Sequence, residues 1–391
     1  MDSMSDLTVA MLGSYPPREC GIATFTRHLH DALIAHGASL GGVVAVDEPG
    51  ARRRYSSDVR WRLQQDNPAS YRRLASALRD ASVDLLCIQH EYGLFGGLDG
   101  ELLISLMDSL RIPVVTTLHT LLSAPTPHMR AVTQSLCDRS AAVVVLARCA
   151  IPLLRDVYGV DPRKVSCIPH GVPTVPRAAG MRRRAKAQLG QTGVTLLSTF
   201  GLIGPTKGIE YVIRALPQVV REHPEVRYLI LGETHPGERR CAGEDYRTSL
   251  EGLVAELGLD EHVGFEARYL DQDELVQWLL ATDIYLMPYL DPEQIVSGTL
   301  SYAVGCGKAV ISTGSRYARE LLAEGRGEIV PFRDPDAISG QLLRLLGDRL
   351  ALAAMEHRAY AVGRQMRWPT VAGSYHSVFN GVAGSPRSRS A

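Results

Sequence analysis

The sequence predicts an α/β protein built from two doubly wound, Rossmann-like domains, each a parallel sheet covered by helices, which face each other across a cleft. Short apolar runs alternate with helical patterns along the whole chain, and this alternation restarts near the middle. Strand–helix alternation is typical of parallel sheets joined by right-handed crossovers. A length of 391 residues also suits two domains, since one domain usually takes about 100–200 residues.

The first half contains six predicted strands that are mostly continuous apolar runs. Runs without polar alternation mark strands that helices cover on both faces. A helix is predicted from Gly21 to Ala35, because its apolar residues recur at helical spacing. The predicted strands span residues 7–12, 42–46, 85–88, 114–118, 142–146 and 165–168.

The second half opens with a strand predicted over 195–200 and a helix predicted over 209–220. Residues 173–190 between the halves contain prolines, glycines and an arginine run, which indicates a linker that leads into a helix. We therefore assign one domain to 1–175, a second to 176–358 and a C-terminal segment to 359–391. The Ser-, Pro- and Arg-rich end after Ser385 is predicted to be disordered. Five further strands are predicted over 226–231, 263–265, 284–287, 309–312 and 328–330.

The charge balance and the cysteines exclude several classes of protein. Lysine plus arginine and aspartate plus glutamate each number 42, whereas nucleic-acid binders usually carry a basic excess, so we expect no nucleic-acid partner. The seven cysteines include no C-x-x-C pair, which argues against a disulfide scaffold or a zinc ribbon and fits a reducing compartment. We interpret them as small core residues.

The N-terminus and the hydropathy of the chain predict a cytoplasmic protein. Residues 1–7 are polar and acidic, unlike a signal peptide, and no apolar run approaches the ~18 residues of a membrane span. The arginine runs at 52–54 and 182–184 allow a weak peripheral contact with an anionic membrane, although a solvated surface explains them more simply. A monomer and a homodimer both fit the sequence.

Two loops of the second half carry residues suited to a diphosphate. In open α/β sheets, ligands bind beyond the carboxyl ends of the strands. Residues 201–208, Gly-Leu-Ile-Gly-Pro-Thr-Lys-Gly, follow one strand and place Lys207 beside the N–H groups of a helix start. The spacing is not that of a Walker A loop. Ser297, Gly298 and Thr299 open a later helix, where they form either an N-cap or a phosphate nest.

The first half places a glycine and three histidines at comparable positions. A loop with two prolines precedes Gly21, which lets a ligand approach the backbone closely at a helix start. His90 with Glu91, His119 and His170 follow three different predicted strands. One such histidine is usually structural, but a purely structural role is a weaker explanation for three at the strand ends of one half of the chain.

No metal site is predicted. The D-x-D patterns at 271–273 and 334–336 are short and fall at a helix cap and in a turn, so we interpret them as structural. Neither a G-x-S-x-G elbow nor an H-E-x-x-H helix occurs.

Taken in order, six segments resemble the family-4 retaining glycosyltransferases, which have the GT-B fold. The resemblance covers nearly the whole chain, and the order and spacing of the segments make it specific. It implies transfer of a hexosyl unit from a nucleoside diphosphate sugar to a carbohydrate or another hydroxyl acceptor, with retention of the anomeric configuration and without a metal or cofactor. It also implies an acceptor-side first domain, a donor-binding second domain and a C-terminal helix that crosses back to the first domain. The segments are 21–26, 168–172, 201–208, 227–232, 281–288 and 305–311.

The resemblance further implies roles for single residues. Lys207 would neutralise the leaving diphosphate, and His119 would lie near the transferred sugar. The implied donor-binding residues are Gly21, Gly201, Gly204, Lys207, Gly208, Gly232, Ser297, Gly298, Thr299 and Tyr302. The implied catalytic residues are His119, Lys207, Glu293 and Gln294, and the acceptor-side residues are Arg18, His90, Glu91 and His170.

The chain departs from the family pattern in its donor half. Leu202 stands where the family usually has an arginine, and Gln294 and Tyr302 stand where it has two glutamates. Glu293 lies one residue from the first of these positions and is an alternative to Gln294. Tyr302 either stacks on the nucleotide base or packs against the protein. The departures keep two other functions open, a non-catalytic sugar-nucleotide-binding module and a sugar-nucleotide epimerase with Glu91 and Glu293 as its carboxylates.

Overall fold

The computed structural model describes residues 7–383, which form two compact units. One unit contains the described residues up to Gly171 together with those from Met366 onward, and the other spans Val172–Gln365. The chain passes between the units at 171/172 and at 365/366. The boundaries predicted from the sequence, 175/176 and 358/359, lie within a few residues of these points. The tail expected to be disordered lies outside the described residues. Within 7–383, no helix combines the length and the apolar composition that a bilayer crossing requires.

The first unit contains a sheet of seven parallel strands with helices between them. The strands are β1 (Val9–Gly13), β2 (Leu40–Asp47), β3 (Val59–Gln64), β4 (Leu85–His90), β5 (Val114–Leu118), β6 (Ala142–Val145) and β7 (Val165–Cys167). The helices are α1 (Gly21–Ala35), α2 (Pro68–Asp80), α3 (Leu102–Ser109), α4 (Pro127–Arg139) and α5 (Ala150–Asp156). The spatial order is β3-β2-β1-β4-β5-β6-β7. Every residue of β1, β4, β5 and β6 is buried, as the continuous apolar runs predict.

Strand β3 is the strand of this sheet that the sequence analysis missed. Its sequence alternates Val59, Trp61 and Leu63 with two arginines and a glutamine, whereas continuous apolar runs predicted the other strands. The strand lies at the edge of the sheet, pairs with β2, and buries Leu63 fully. One-sided burial produces a period of two, so this alternation was the signal that could have found it.

The second unit contains a sheet of six parallel strands, as its restarting pattern predicts. The strands are β8 (Thr195–Phe200), β9 (Val226–Leu231), β10 (Val263–Glu266), β11 (Ile284–Met287), β12 (Ala309–Thr313) and β13 (Glu328–Val330), in the spatial order β10-β9-β8-β11-β12-β13. The helices are α6 (Met181–Gln188), α7 (Ile209–Glu222), α8 (Pro236–Ala242), α9 (Asp245–Glu256), α10 (Gln272–Ala281), α11 (Gly298–Gly305), α12 (Arg316–Leu321), α13 (Pro335–Gly347) and α14 (Arg349–Gly363).

Helix α7 shows how the second core forms. Its buried residues Ile209, Val212, Ile213, Leu216 and Val219 recur at intervals of three and four, which confirms the predicted helix. They join a core cluster with side chains from the sheet and from α13. Burying one aliphatic side chain contributes about 1.5–3 kcal/mol, so this stripe fixes α7 and the loop in front of it.

The last described helix, α15 (Trp368–Ala383), belongs to the first unit and packs against α1. The buried Tyr375 hydroxyl lies 2.9 Å from Thr117 Oγ1, which ties α15 to β5. The Trp368 ring rests on Gly171, since a β-carbon on that glycine would lie 2.2 Å from Trp368 Cε3.

The seven cysteines are all unpaired. Cys87, Cys137 and Cys306 are buried, as expected of small core residues, whereas Cys241 is exposed on α8, so its predicted core position is wrong. Cys20 has a further role, because its Sγ accepts from the Ala23 N–H as the N-cap of α1.

We predict that Gly171→Ala lowers the free energy of unfolding by about 1–3 kcal/mol, the usual cost of overpacking, because the added methyl would overlap the Trp368 ring. Urea unfolding monitored by tryptophan fluorescence measures the change. Gly252→Ala on α9 is the matched control, because its β-carbon meets nothing within 4 Å and alanine favours a helix by up to about 1 kcal/mol. Equal unfolding midpoints for Gly171→Ala and the wild type would contradict the packing argument.

Candidate functional site

Each sheet reverses its strand order at one point, between β1 and β4 in the first unit and between β8 and β11 in the second. Loops at the carboxyl ends of the strands beside such a point form the crevice in which doubly wound sheets bind ligands. In the second unit these loops are 201–208 and 288–297. In the first unit they are 14–20 and the residues that begin at Glu91.

The loop after β8 is held by close main-chain contacts with the loop after β11. Gly208 has a left-handed φ of +61°, and a β-carbon there would lie 2.3 Å from the Pro288 carbonyl oxygen. The Leu290 N–H donates to the Thr206 carbonyl at 2.9 Å. Glycine suits both this conformation and this approach, so Gly208 lets the two loops meet.

Lys207 lies over an aromatic ring that the sequence analysis did not single out. Its Nζ is 3.8 Å from the ring centroid of Tyr289, a cation–π contact. The Tyr289 hydroxyl lies 3.1 Å from Thr299 Oγ1, which in turn lies 3.0 Å from Ser297 Oγ. Among residues 7–383, no carboxylate comes within 4.0 Å of the Lys207 ammonium. Lys207, Tyr289, Thr299 and Ser297 thus form one cluster with a net positive charge, which we call the lysine cluster.

Helix α11 begins at the lysine cluster with unused main-chain donors. Ser297 is the N-cap, and its Oγ accepts from the Leu300 N–H at 3.2 Å, so the capping alternative is confirmed. In the described part of the chain, the N–H groups of Gly298 and Thr299 find no acceptor. Free N–H groups at a helix start attract anions. The phosphate nest stays a prediction for which the donors are present.

Helix α7, which begins two residues after Lys207, has fewer free N–H groups for an anion than its position in the sequence suggests. The Ile209 N–H donates to the Tyr246 hydroxyl at 3.2 Å, and Tyr246 donates to the Glu210 carboxylate at 2.5 Å. A carboxylate in the first turn compensates the positive end of a helix. The free donors that we assign to the lysine cluster are therefore those of α11.

Three further glycines named from the sequence lie in or beside the loop after β8: Gly201 and Gly204 in it, and Gly232 at the end of β9. Gly201 and Gly232 have left-handed φ values of +127° and +137°, and a β-carbon on Gly232 would lie 2.0 Å from the Gly201 carbonyl oxygen. The end of β9 therefore touches this loop, and glycine permits the contact. Gly204 differs, because its φ of −173° suits any residue.

The positions at which the chain departs from the family pattern have different surroundings. Gln294 Oε1 is buried and has no hydrogen-bond partner among the described residues. The Glu293 side chain is 43% exposed, and its Oε2 accepts from Arg316 Nε at 2.8 Å. The Tyr302 ring is buried, and its hydroxyl donates to Gln272 Oε1 at 3.2 Å. Gln294 thus has an unused polar atom, Glu293 is held in an ion pair, and Tyr302 is packed against the protein.

The three histidines named from the sequence lie at the carboxyl edge of the first sheet. The main-chain N–H of His119 donates to the His90 carbonyl at 3.0 Å. The Phe25 ring of α1 lies edge-on to His119 at 4.7 Å and to His170 at 5.1 Å between ring centroids. Trp368 contacts the same Phe25 ring at 5.3 Å. Phe25 and Trp368 are not among the site residues predicted from the sequence, yet their contacts join α1 and α15 to the histidines.

Burial keeps these histidines neutral. It lowers the pKa of His119 to about 3, with His170 and His90 adding to the shift, and it lowers the pKa of His90 and of His170 to about 4. His119 Nε2 lies 2.9 Å from Gln89 Oε1, an acceptor, so Nε2 carries the proton. Neither ring nitrogen of His90 has a partner among the described residues. The cluster therefore offers polar atoms without charge.

The remaining first-unit residues have varied settings. Burial raises the pKa of the Glu91 carboxyl, although the Thr120 hydroxyl and a main-chain N–H donate to it at 2.8 Å each. Arg18 forms an ion pair with Glu48 at 3.3 Å. Gly21 has open space where a β-carbon would lie, so packing does not require glycine there.

Both D-x-D patterns are helix caps. Asp271 caps α10 in a capping box with Glu274, and Asp334 accepts from the Ala337 N–H at the start of α13 rather than lying in a simple turn. The cap predicted at Asp271 is thus confirmed, and the turn predicted at Asp334 is a second helix cap. Across the described residues, no three or more His, Cys, Asp or Glu side chains are grouped so that they could hold a metal ion.

Two family models match the chain, one in each half. The model described as Glycosyltransferase Family 4 matches residues 20–175, and the model described as Glycosyl transferases group 1 matches residues 194–348. A D-inositol 3-phosphate glycosyltransferase of Nocardia farcinica is 28% identical over 289 residues, which are 67% of this chain and 59% of that protein. The match thus spans less than two thirds of that relative. A GDP-mannose-dependent monoacylated alpha-(1-6)-phosphatidylinositol monomannoside mannosyltransferase of Corynebacterium glutamicum is 23% identical over 374 residues, 90% of this chain and 92% of that protein.

Solved structures share the fold over almost the whole chain. Anabaena HepE in complex with UDP superposes with a TM-score of 0.75 at 16% identity, covering 96% of this chain and 100% of that one. Sucrose-phosphate synthase from Thermosynechococcus elongatus superposes with a TM-score of 0.76 at 18% identity, covering 96% and 98%. This likeness shows the fold, two parallel-sheet α/β domains of the GT-B type.

We predict that the free energy of unfolding falls as the pH drops from about 6.5 toward 4. In this range the histidines bind protons in the unfolded state but stay neutral while they are buried in the folded state. The folded pKa values of about 3 to 4 lie below the ordinary 6.5, so the stability is present above pH 6.5 and lost below it. Each histidine contributes a slope of up to about 1.4 kcal/mol per pH unit.

The matched variant is His90→Phe, which keeps a ring against Phe95 but cannot titrate. Urea unfolding at a series of pH values should give a shallower loss for this variant than for the wild type. Parallel curves for the two proteins would show that His90 is not neutral when folded.

Proposed function

The chain belongs to the family-4 glycosyltransferases of the GT-B fold, and we propose that it transfers a hexosyl unit from a nucleoside diphosphate sugar to a hydroxyl acceptor with retention of the anomeric configuration. The lysine cluster is the observation that carries the proposal. Lys207 places an ammonium at the switch point of the second sheet, and the start of α11 places two N–H groups there. Those N–H groups have no acceptor in the described chain. A diphosphate has the charge and the acceptor oxygens that suit them.

The relatives support a nucleoside diphosphate as the carrier of the sugar. The Corynebacterium mannosyltransferase is named as GDP-mannose-dependent, and HepE was solved with UDP. These ligands differ in their base but share the diphosphate. The shared part is the one that Lys207 and α11 would bind.

Retention follows when the acceptor hydroxyl attacks the anomeric carbon on the face that the phosphate leaves. The bond from the anomeric carbon to the phosphate oxygen breaks while the new glycosidic bond forms, and the acceptor proton passes to the leaving phosphate oxygen. The protein then supplies charge and positioning rather than a nucleophile. Lys207 and the N–H groups of Gly298 and Thr299 would stabilise the diphosphate, so the proposal needs no metal ion and no cofactor.

The first unit would supply groups for the acceptor and the sugar. With its proton on Nε2, neutral His119 presents Nδ1 as an acceptor for a sugar hydroxyl. We assign Arg18, His90, Glu91 and His170 to the acceptor side. Membrane contact and the choice between monomer and homodimer stay predictions.

A sugar-nucleotide-binding module without catalysis is the second candidate, because Gln294 and Tyr302 replace two glutamates of the family pattern. The epimerase alternative is less well supported, since it needs carboxylates for proton transfer and Glu293 forms an ion pair with Arg316.

We predict that Lys207→Ala lowers the turnover number about 10²-fold, the usual cost of removing one charge-stabilising group, and weakens the binding of a nucleoside diphosphate. Calorimetric titrations with UDP, GDP and ADP identify the nucleotide, and transfer from the matching donor sugar is then measured. Arg214→Ala, which removes an exposed cation from α7, is the control and should keep wild-type turnover.

Wild-type turnover in Lys207→Ala would refute the role of that lysine. Donor binding without transfer to any of a broad panel of acceptors would favour the binding module. A product whose anomeric configuration is inverted relative to the donor would contradict retention.

Substituting Gln294 and Glu293 one at a time tests which of these two polar residues in the loop after β11 contributes to activity. Gln294→Ala should lower kcat/KM about tenfold, the effect of losing one hydrogen bond of ~1.4 kcal/mol, because Oε1 has no partner in the described protein. Glu293→Ala should stay within about twofold of the wild type, since exposed ion pairs contribute little. Thermal unfolding checks that both variants are folded. A larger loss for Glu293→Ala would assign the role to Glu293 instead.

A further inference from the structure

The second unit contains a cavity of about 530 Å³ at the amino-terminal ends of its strands. Val194 and Lys308, which both line it, directly precede β8 and β12. The lysine cluster lies beyond the opposite, carboxyl ends of β8 and β11. A strand of six residues such as β8 spans about 20 Å, so the cavity is separate from the proposed donor site. Its volume is within the range of about 300–1,000 Å³ that is usual for small-molecule sites.

The lining of this cavity has an excess of positive charge. Five basic side chains reach it, from Arg177, Arg182, Arg183, Lys186 and Lys308, against one carboxylate, from Glu356. The Asp283 carboxylate adds a second negative charge through its ion pairs with Lys186 and Arg182. Arg177 and Arg183 are exposed at the rim, and among the described residues neither has a carboxylate within 4.0 Å.

Lys308 is the clearest sign of a missing negative charge. It is only 4% exposed, and its ammonium donates to the carbonyl oxygens of Leu280 at 3.2 Å and Thr282 at 3.1 Å. No carboxylate lies within 4.0 Å of it in the described chain. Burial lowers its pKa to about 8, and the charge of Arg182 acts in the same direction, while the more distant carboxylates of Glu356 and Asp283 act against the shift. A buried cation without an ionic partner is costly, and an anion in the cavity would offset that cost.

Arg182 points to the same conclusion from a second element. It pairs with Glu356 and Asp283, yet its buried Nε has no acceptor in the described protein. It lies in the first turn of α6, whose N-cap, Gly180, provides no side-chain acceptor for the helix N–H groups. A guanidinium and open N–H groups at one helix start match the oxygens of a phosphate.

We propose that this cavity binds a small soluble organic phosphate, with the phosphate at Arg177, Arg182, Arg183 and the start of α6. The volume exceeds what one phosphate fills, which leaves room for the organic part. The cavity extends inward from its exposed rim, since the side chains of Lys186 and Arg182 are only 14% and 32% exposed. A recessed site suits a soluble molecule better than the headgroups of a flat membrane, which carry the same phosphate chemistry.

The test is a calorimetric titration with inorganic pyrophosphate, made in the Lys207→Ala background so that the proposed donor site contributes little. Arg177→Ala combined with Arg183→Ala should weaken the binding at least about tenfold, because two charge-assisted contacts are lost. Both side chains are exposed, so the fold should persist. The matched control is Arg214→Ala combined with Arg221→Ala, two exposed arginines of α7 outside the cavity, which should bind like the parent.

Equal affinities in the cavity variant and the control, or no binding by the parent, would overturn the proposal. A parallel arm uses phosphatidylcholine vesicles with and without phosphatidylglycerol. Sedimentation with the anionic vesicles that depends on Arg177 and Arg183, without pyrophosphate binding, would assign these arginines to a lipid surface and would also overturn it. The titration measures binding and not sugar transfer, and it is made with Lys207 already replaced. Its outcome is therefore independent of whether the protein catalyses the proposed transferase reaction.

Discussion

The approach of two main chains at Gly208 is the constraint on which the loops of the second unit depend. A side chain there would collide with the Pro288 carbonyl, and a side chain on Gly232 would collide with the Gly201 carbonyl. Both collisions are with backbone, which cannot rotate away as a flexible side chain can. The glycines therefore bring the loops after β8, β9 and β11 together. Once these loops meet, Lys207 has one aromatic surface beside it, the ring of Tyr289, and its ammonium is held before any ligand arrives.

This arrangement gives the two units different electrostatic characters. In the second unit, the Lys207 ammonium and the N–H groups of α11 are oriented in advance, so they need little reorganisation when negative charge develops. In the first unit, burial against Phe25 and Trp368 keeps His119 and His170 neutral. Neutral imidazoles can bind hydroxyls without attracting a diphosphate. Under the proposed function, charge binding would fall to the second sheet and hydroxyl binding to the first, each at its own switch point.

The elements that were predicted correctly from the sequence are those that a local residue pattern determines. Continuous apolar runs predicted the buried strands, a stripe of aliphatic residues predicted α7, and an acidic residue before a helical pattern predicted the cap at Asp271. Strand β3 was missed because an edge strand shows alternation instead of an apolar run. Tyr289 was missed for a different reason: a tyrosine after a strand has no distinguishing pattern, and its contact with Lys207 arises only when loops more than 80 residues apart in sequence meet. The same limit applies to Phe25 and Trp368, which lie at opposite ends of the chain.

The basic cavity lies at the amino edge of the second sheet. Its cations fall into two groups, those that nearby helix C-termini can stabilise and those that they cannot. Helices that follow parallel strands direct their negative C-terminal ends toward the amino edge of the sheet. The carbonyl oxygens of Leu280 and Thr282, at the end of α10, accept hydrogen bonds from the Lys308 ammonium in this way and offset part of its charge. They do not account for Arg177 and Arg183, which lie at the rim. The N-cap and the first residue of α6, Gly180 and Met181, line the same cavity. Arginines in the first turn of a helix lie at its positive end, so an anion bound there would offset an unfavourable interaction that the helix does not relieve by itself.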